Sequence, residues 1–89
     1  MLTINLHISQ IEHVYSNNAR RIQYLNGTRK EVSPNGRASI IYFFNQDRKE
    51  LREDGSSIYF YAQSNIYHTA LPDGSAFIEF PKYHFTLSF

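Results

Sequence analysis

The chain has 89 residues, 42% of them apolar and 16% aromatic, which is enough for one small domain of modest buried surface. Nine Lys and Arg against eight Asp and Glu leave a formal charge of +1, with no basic block longer than two residues. Neither a nucleic-acid-tracking surface nor an acidic tail is indicated. With zero cysteines, disulfides, thiol catalysis and thiolate zinc sites are excluded.

In chain order, Met-Leu-Thr-Ile-Asn-Leu-His-Ile at 1–8 has no positive leader region and is broken by polar residues, so it does not read as a signal peptide. No apolar run approaches the ~20 residues of a spanning helix. An intracellular soluble protein without a membrane partner is the expectation. The span 1–19 is an N-terminal extension or extra strands, and 20–89 is predicted as a β-meander repeat domain.

Turn signals govern that second span. Pro34-Asn35-Gly36, Glu53-Asp54-Gly55 and Pro72-Asp73-Gly74 step by 19 residues (36 to 55 to 74). Asn26-Gly27, Asn45-Gln46 and Ser64-Asn65 form a second series with the same step. The formal sequon Asn26-Gly27-Thr28 is read as part of a turn. Gly27, Gly36, Gly55 and Gly74 are expected to supply the positive φ that a type I turn followed by a bulge requires. Between the turns, Ile, Tyr, Phe, Thr and Val concentrate at 20–25, 28–33, 37–44, 47–52, 56–62, 66–71 and 75–80, which are predicted as strands. Strands joined by three-residue loops pair antiparallel with their sequence neighbours. Arg29-Lys30-Glu31-Val32 falls on Arg48-Lys49-Glu50-Leu51 after one 19-residue shift, the mark of a repeat architecture.

Polarity alternates from strand to strand rather than along each strand. Ser39–Phe44 and Ile58–Tyr61 are apolar on both parities, whereas Arg29–Glu31 and Asp47–Glu50 are charged on both. That pattern favours an all-β, single open antiparallel β-meander wetted on both faces, held by cross-strand pairs. A small barrel or sandwich with irregular patterning is the alternative.

Catalytic constellations are lacking. His7, His13, His68 and His84 show no metal-ligand spacing, no Ser sits in a nucleophile elbow, and glycines occur singly. Asp54 and Asp73 occupy the same turn slot and read as turn residues. Lys49 or Glu50 would need an enclosing pocket to shift its pKa, which an open sheet does not provide. A non-enzyme without cofactors or metal is expected.

The sheet does offer rings. Counting across three-residue loops puts Phe43 opposite Asp47 and Asp47 beside Tyr61. The same count forms a row of Ile41, Lys49, Tyr59, Thr69 and Phe77. The other face would then carry Tyr42, Phe44, Ile58, Phe60, Ile66, His68, Ile78 and Phe80, unless Gln63-Ser64-Asn65 holds a parity-changing bulge. Grooves between parallel rings suit an extended proline-rich peptide. Rings that merely stiffen the sheet, and nucleic acid stacked on them, are the alternatives; the near-neutral charge argues against nucleic acid.

Asn26–Gly36, Ser57–Gln63, His68–Gly74 and Phe77–Pro81 together resemble the T-complex-protein C-terminal domain (G-box) family over roughly residues 20–81. The resemblance implies a free-standing meander that in centriolar members binds a proline-rich segment of a STIL/Ana2-like protein and can stack end to end. It implies the cytoplasm and the centrosome or centriole as location. Ligand-facing aromatics of that family fall on Phe43, Tyr59 and Phe80, and the row count adds Tyr61, Phe77 and Lys49. The chain departs from the family at Asn45-Gln46, where Asn-Gly is usual, and after Phe80, where it continues with Lys82–Phe89 instead of another Pro-Asp-Gly repeat. An acidic residue the centriolar domain supplies after the next turn has no counterpart. A shortened member or an excerpt is the expectation. A structural, self-associating sheet element without a peptide ligand is the competing function.

Overall fold

The computed structural model describes residues 2–7 and 9–89; Met1 and Ile8, within the 1–19 span, lie outside the described residues. Ten antiparallel strands form one sheet in strict sequence order, each paired only with its chain neighbours. They are β1 Leu2–Leu6, β2 Gln10–Tyr15, β3 Arg20–Tyr24, β4 Arg29–Val32, β5 Ser39–Tyr42, β6 Arg48–Leu51, β7 Ser57–Tyr61, β8 Ile66–Ala70, β9 Ala76–Phe80 and β10 Phe85–Ser88. The seven predicted strands correspond to β3–β9. The first two and the last extend the same sheet.

Among the described residues, no second layer covers either face. The radius of gyration is 15.4 Å over extents of 45 × 27 × 18 Å, against about 12 Å for a compact domain of this length. Among the described residues, the buried hydrophobics are Ile22 and Val32, joined by the polar Thr28, Ser56 and Thr69. A slab of this kind is held by its backbone ladder and by side chains lying across strands. On one face Arg29 lies 4.4 Å from the Tyr42 ring centroid and Arg48 lies 5.4 Å from that of Phe60. Phe60 in turn packs against Tyr67 at 4.8 Å. Charged strands between aromatic strands thus serve a structural end: aliphatic stems and guanidinium planes cover rings that have no core to enter.

The turns share one device. The Asn or Asp side chain two residues before the following strand accepts its backbone N–H. Asn26 accepts from Thr28 (2.9 Å), Asn35 from Arg37 (3.0 Å) and Asn45 from Asp47 (3.0 Å). Asp54 accepts from Ser56 (2.8 Å) and Asp73 from Ser75 (2.9 Å). The residue between each pair takes a positive φ: Gly27 (92°), Gly36 (75°), Gly55 (92°) and Gly74 (90°), but also Gln46 (78°). Most loops hold three residues, as in Arg52–Ser56, where Gly55 N–H donates to Arg52 O at 3.0 Å and Arg52 N–H to Ser56 O at 2.9 Å.

Three loops hold four residues, Pro34–Arg37, Ala62–Asn65 and Pro81–His84, and the second decides how the side chains of β8 and β9 are shared between the faces. Tyr61 pairs with Ile66, leaving four loop residues, Ala62–Asn65, rather than three. Asn65 N–H donates to Tyr61 O at 2.8 Å, and Asn65 takes φ 58°. The extra residue corrects the predicted row. Tyr59 stands opposite His68, not Thr69; the Thr69–Phe77 pair forms as counted but lies on the other face, and the Tyr59 row continues through His68 to Ile78. Where a further Pro-Asp-Gly is missing, Pro81–Tyr83 form a short 3-10 turn with His84 at φ 53°, after which β10 returns along β9.

Candidate functional site

One face of the sheet is a regular lattice, because residues paired across strands point the same way. Its first row runs Tyr24, Thr28, Phe43, Asp47, Tyr61, Ile66, Phe80 and Phe85 from β3 to β10. A second row, one pleat along, runs Ile22, Lys30, Ile41, Lys49, Tyr59, His68, Ile78 and Leu87. Large side chains therefore stand as ridges on odd strands: Ile22 and Tyr24 on β3, Ile41 and Phe43 at β5, Tyr59 and Tyr61 on β7, Ile78 and Phe80 on β9. Even strands lie between them with Thr28, Lys30, Asp47, Lys49, Ile66 and His68. Ridges recur every two strands, about 9.6 Å apart.

The hub is Tyr59. Its ring sits 5.8 Å from Phe43 and 4.5 Å from Tyr61. Its hydroxyl donates to Asp47 Oδ2 at 2.7 Å, and Asp47 Oδ1 accepts the Ala62 N–H at 2.9 Å. One carboxylate so ties β6 to β7 and to the four-residue loop that sets the register beyond. The Tyr59 bond, then the Ala62 bond, hold the Asp47 carboxyl below its ordinary pKa of 3.8. The same bond, with lesser contributions from burial and the neighbouring charge, pushes the Tyr59 phenol up to about 12.

The signs of the two linkages are opposite. Stability from Asp47 is present above its unfolded pKa and is lost as pH falls below 3.8. Stability from Tyr59 is complete below about 10 and is lost as pH rises through about 12. In an alkaline titration of tyrosinate absorbance, one tyrosine is expected to ionise last, near 12. Tyr59→Phe is expected to remove that late step and lower the melting temperature by a few degrees. A titration with all tyrosines ionising together in both proteins would contradict the Asp47–Tyr59 bond.

Five of the six residues singled out from the sequence share this face: Phe43, Lys49, Tyr59, Tyr61 and Phe80. Phe77 does not. It pairs with Thr69 and Ser88 on the opposite face, because the four-residue loop shifts β8 and β9 by one position relative to the three-residue count. The same shift brings Phe80, Ile66, His68 and Ile78 onto the Tyr59 face. Phe80 packs against Phe85 at 5.5 Å, and His68 lies 6.3 Å from Phe89. Tyr24, Ile78 and Phe85 complete the face and were not singled out. Tyr24 was legible, since it precedes Phe43 by the 19-residue step.

Two concavities flank the sheet. A hollow of about 360 Å³ between the Tyr24 and Phe43 ridges is lined by Tyr24, Thr28, Lys30, Ile41, Phe43 and Phe44. A larger one of about 550 Å³ opens on the opposite face over Tyr15, Arg21, Glu31, Ile40, Glu50 and Arg52. Its charges are of both signs and partly self-paired, with Arg52–Glu50 at 3.2 Å, and Tyr15 is its one ring. The smaller hollow is thus the one that presents stacking surface. Among the described residues there is no group of three or more His, Asp or Glu able to hold a metal ion, and no helix long and apolar enough to cross a membrane.

No family model matches the chain. It is 42% identical over 71 residues to the centrosomal P4.1-associated proteins of Homo sapiens and Pan troglodytes, a match covering 80% of this chain and 5% of theirs. The chain thus spans a small fraction of the length of the curated relatives it matches. Among solved structures, it is similar to the wild-type TCP10 domain of Danio rerio CPAP in complex with a peptide of Danio rerio STIL. That likeness has a TM-score of 0.76 at 38% identity, covering 82% of this chain and 40% of that one. It is likewise similar to the SAS-4 (dCPAP) TCP domain of Drosophila melanogaster in complex with a proline-rich motif of Ana2 (dSTIL). There the TM-score is 0.78 at 34% identity, covering 81% of this chain and 47% of that one. With the same open sheet and this identity over four-fifths of its length, the chain belongs to the T-complex-protein C-terminal domain (G-box) family.

Proposed function

We propose that this chain is a non-catalytic interaction module that docks a proline-rich extended peptide across its Tyr24–Phe43–Tyr61–Phe80 face, with a STIL/Ana2-like segment as partner and centriole assembly as setting. The observation that carries the reading is the ridge period. A polyproline II peptide advances about 9.3 Å in its three-residue turn, close to the two-strand step of about 9.6 Å between ridges. Such a peptide laid across the strands repeats in phase with the rings. Phe43, Tyr59 and Phe80 supply ring faces, and the open hollow between Tyr24 and Phe43 receives a proline. Relatives solved with STIL and Ana2 peptides support this partner class. The test is fluorescence anisotropy with a labelled proline-rich STIL peptide. Saturable binding is expected, and no binding at protein concentrations up to the millimolar range would refute the reading.

A second reading, self-association through the sheet edges, rests on a separate observation. Leu2, Ile4 and Leu6 on β1, and Phe85 and Leu87 on β10, are exposed. Neither strand carries a charge or a proline to guard its unpaired backbone. Sedimentation velocity is expected to show concentration-dependent association that Ile4→Lys with Leu87→Lys abolishes. A monomer at all concentrations for the wild type would remove this role.

A further inference from the structure

On the aromatic face, two cations stand two strands apart with no partner. Lys30 on β4 lies between Ile22 and Ile41, and Lys49 on β6 lies between Ile41 and Tyr59. Among the described residues neither lysine takes part in an ion pair within 4.0 Å or a side-chain hydrogen bond. The two carboxylates nearest them on this face are already engaged. Glu12 meets Arg20 at 3.6 Å and accepts the Asn5 amide at 2.9 Å. Asp47 accepts from Tyr59 and Ala62. Both lysines are half-buried among apolar and aromatic side chains, where a carboxylate finds less competing water than at a rim.

Resting on the peptide-docking reading, we infer that this face selects a ligand carrying two acidic residues at i and i+3, one against Lys30 and one against Lys49. The spacing follows from the geometry. Lys30 and Lys49 are separated by two strands, about 9.6 Å, and residues i and i+3 of a polyproline II strand lie on one side of it, about 9.3 Å apart. Acidic positions would sit over the even strands while the prolines between them meet the rings. His68, two strands further along the same row, already has its ring against Phe89, so the pair ends at Lys49. Two lysines in a chain of net charge +1 form no stripe long enough to follow a phosphate backbone, which makes an acidic peptide the better fit than a nucleic acid.

The experiment compares labelled Pro-Pro-rich peptides bearing Glu at i and i+3, Glu at i and i+2, Gln at i and i+3, or Lys at i and i+3, together with a single-stranded oligonucleotide. The i, i+3 Glu peptide is expected to bind roughly five-fold more tightly than the Gln peptide, an advantage lost in high salt. The i, i+2 peptide is expected to lose most of that advantage. Lys30→Gln with Lys49→Gln is expected to bring the ratio of Glu-peptide to Gln-peptide affinity to about one, with the circular dichroism spectrum unchanged. Equal affinity for Glu and Gln peptides, preference for Lys, or tightest binding by the oligonucleotide overturns the inference and leaves peptide docking standing in the first two cases. No binding by any peptide, the neutral one included, overturns both.

Discussion

Replacing Phe43 by alanine is expected to weaken binding of a proline-rich peptide by at least ten-fold while the sheet stays folded. Phe43 stands next to the open hollow at Tyr24 and packs 5.8 Å from Tyr59, so it forms a wall for two neighbouring ligand positions. Buried aromatic anchors of this kind cost about 2 kcal/mol or more when truncated, roughly thirty-fold in affinity. Stability is expected to suffer less, because the ring fills no enclosed core: the residue lies beside Asp47 just outside β5, and its backbone N–H still donates to Asp47 O at 2.9 Å. Phe60→Ala is the matched control. It removes a ring of similar size from the opposite face, where Phe60 packs with Arg48 and Tyr67, and is expected to lower stability but not affinity.

The turns provide the second large effect, in opposite directions at two equivalent positions. Gly55 has φ 92°, and a Cβ added there would meet Pro72 Cγ at an ordinary 3.7 Å, so the penalty for Gly55→Ala is conformational rather than steric. It is expected to cost about 1 kcal/mol or more, a fall of about 4–8 °C in melting temperature for a domain of this size. Gln46 occupies the same slot in its own turn at φ 78° and carries a side chain there. Gln46→Gly is expected to raise the melting temperature by a few degrees. Both shifts are read by thermal unfolding. No change at Gly55, or a loss at Gln46, would mean that left-handed geometry is not what these turns require.

How far the sequence carries can be judged residue by residue. The Asn or Asp before β4, β5, β6, β7 and β9 and the positive-φ residue that follows it, glycine in all but one, have a purely local logic, so these turns, the meander and the open single sheet were legible. Charged Arg29-Lys30-Glu31 beside apolar Ile40-Ile41-Tyr42 indicated a sheet wet on both faces, because no covered sheet would hold such a strand. Face assignment by the three-residue count holds from Ile41 to Tyr61. Beyond it, one additional loop residue in Ala62–Asn65 shifts the β7–β8 register by one position and so exchanges the faces of β8 and β9 together, and nothing in Ala-Gln-Ser-Asn separates a three-residue from a four-residue loop. That single unit exchanged the faces of Phe77 and Phe80. β1 had a signal, the alternation Leu2-Thr3-Ile4-Asn5-Leu6, but no glycine marks the turns that follow it. β10 follows a 3-10 turn closed by His84 in place of the repeat's glycine, which the 19-residue pattern does not encode.

The most direct measurement is a map of side-chain and backbone resonances of the intact chain as a proline-rich peptide is added. Docking on the ridge face requires the shifts to gather on Tyr24, Phe43, Tyr59, Tyr61 and Phe80, with Tyr42, Phe60, Tyr67 and Phe77 unmoved. Shifts centred on Phe60, Tyr67 and Phe77, or an unchanged spectrum at saturating peptide, would contradict it.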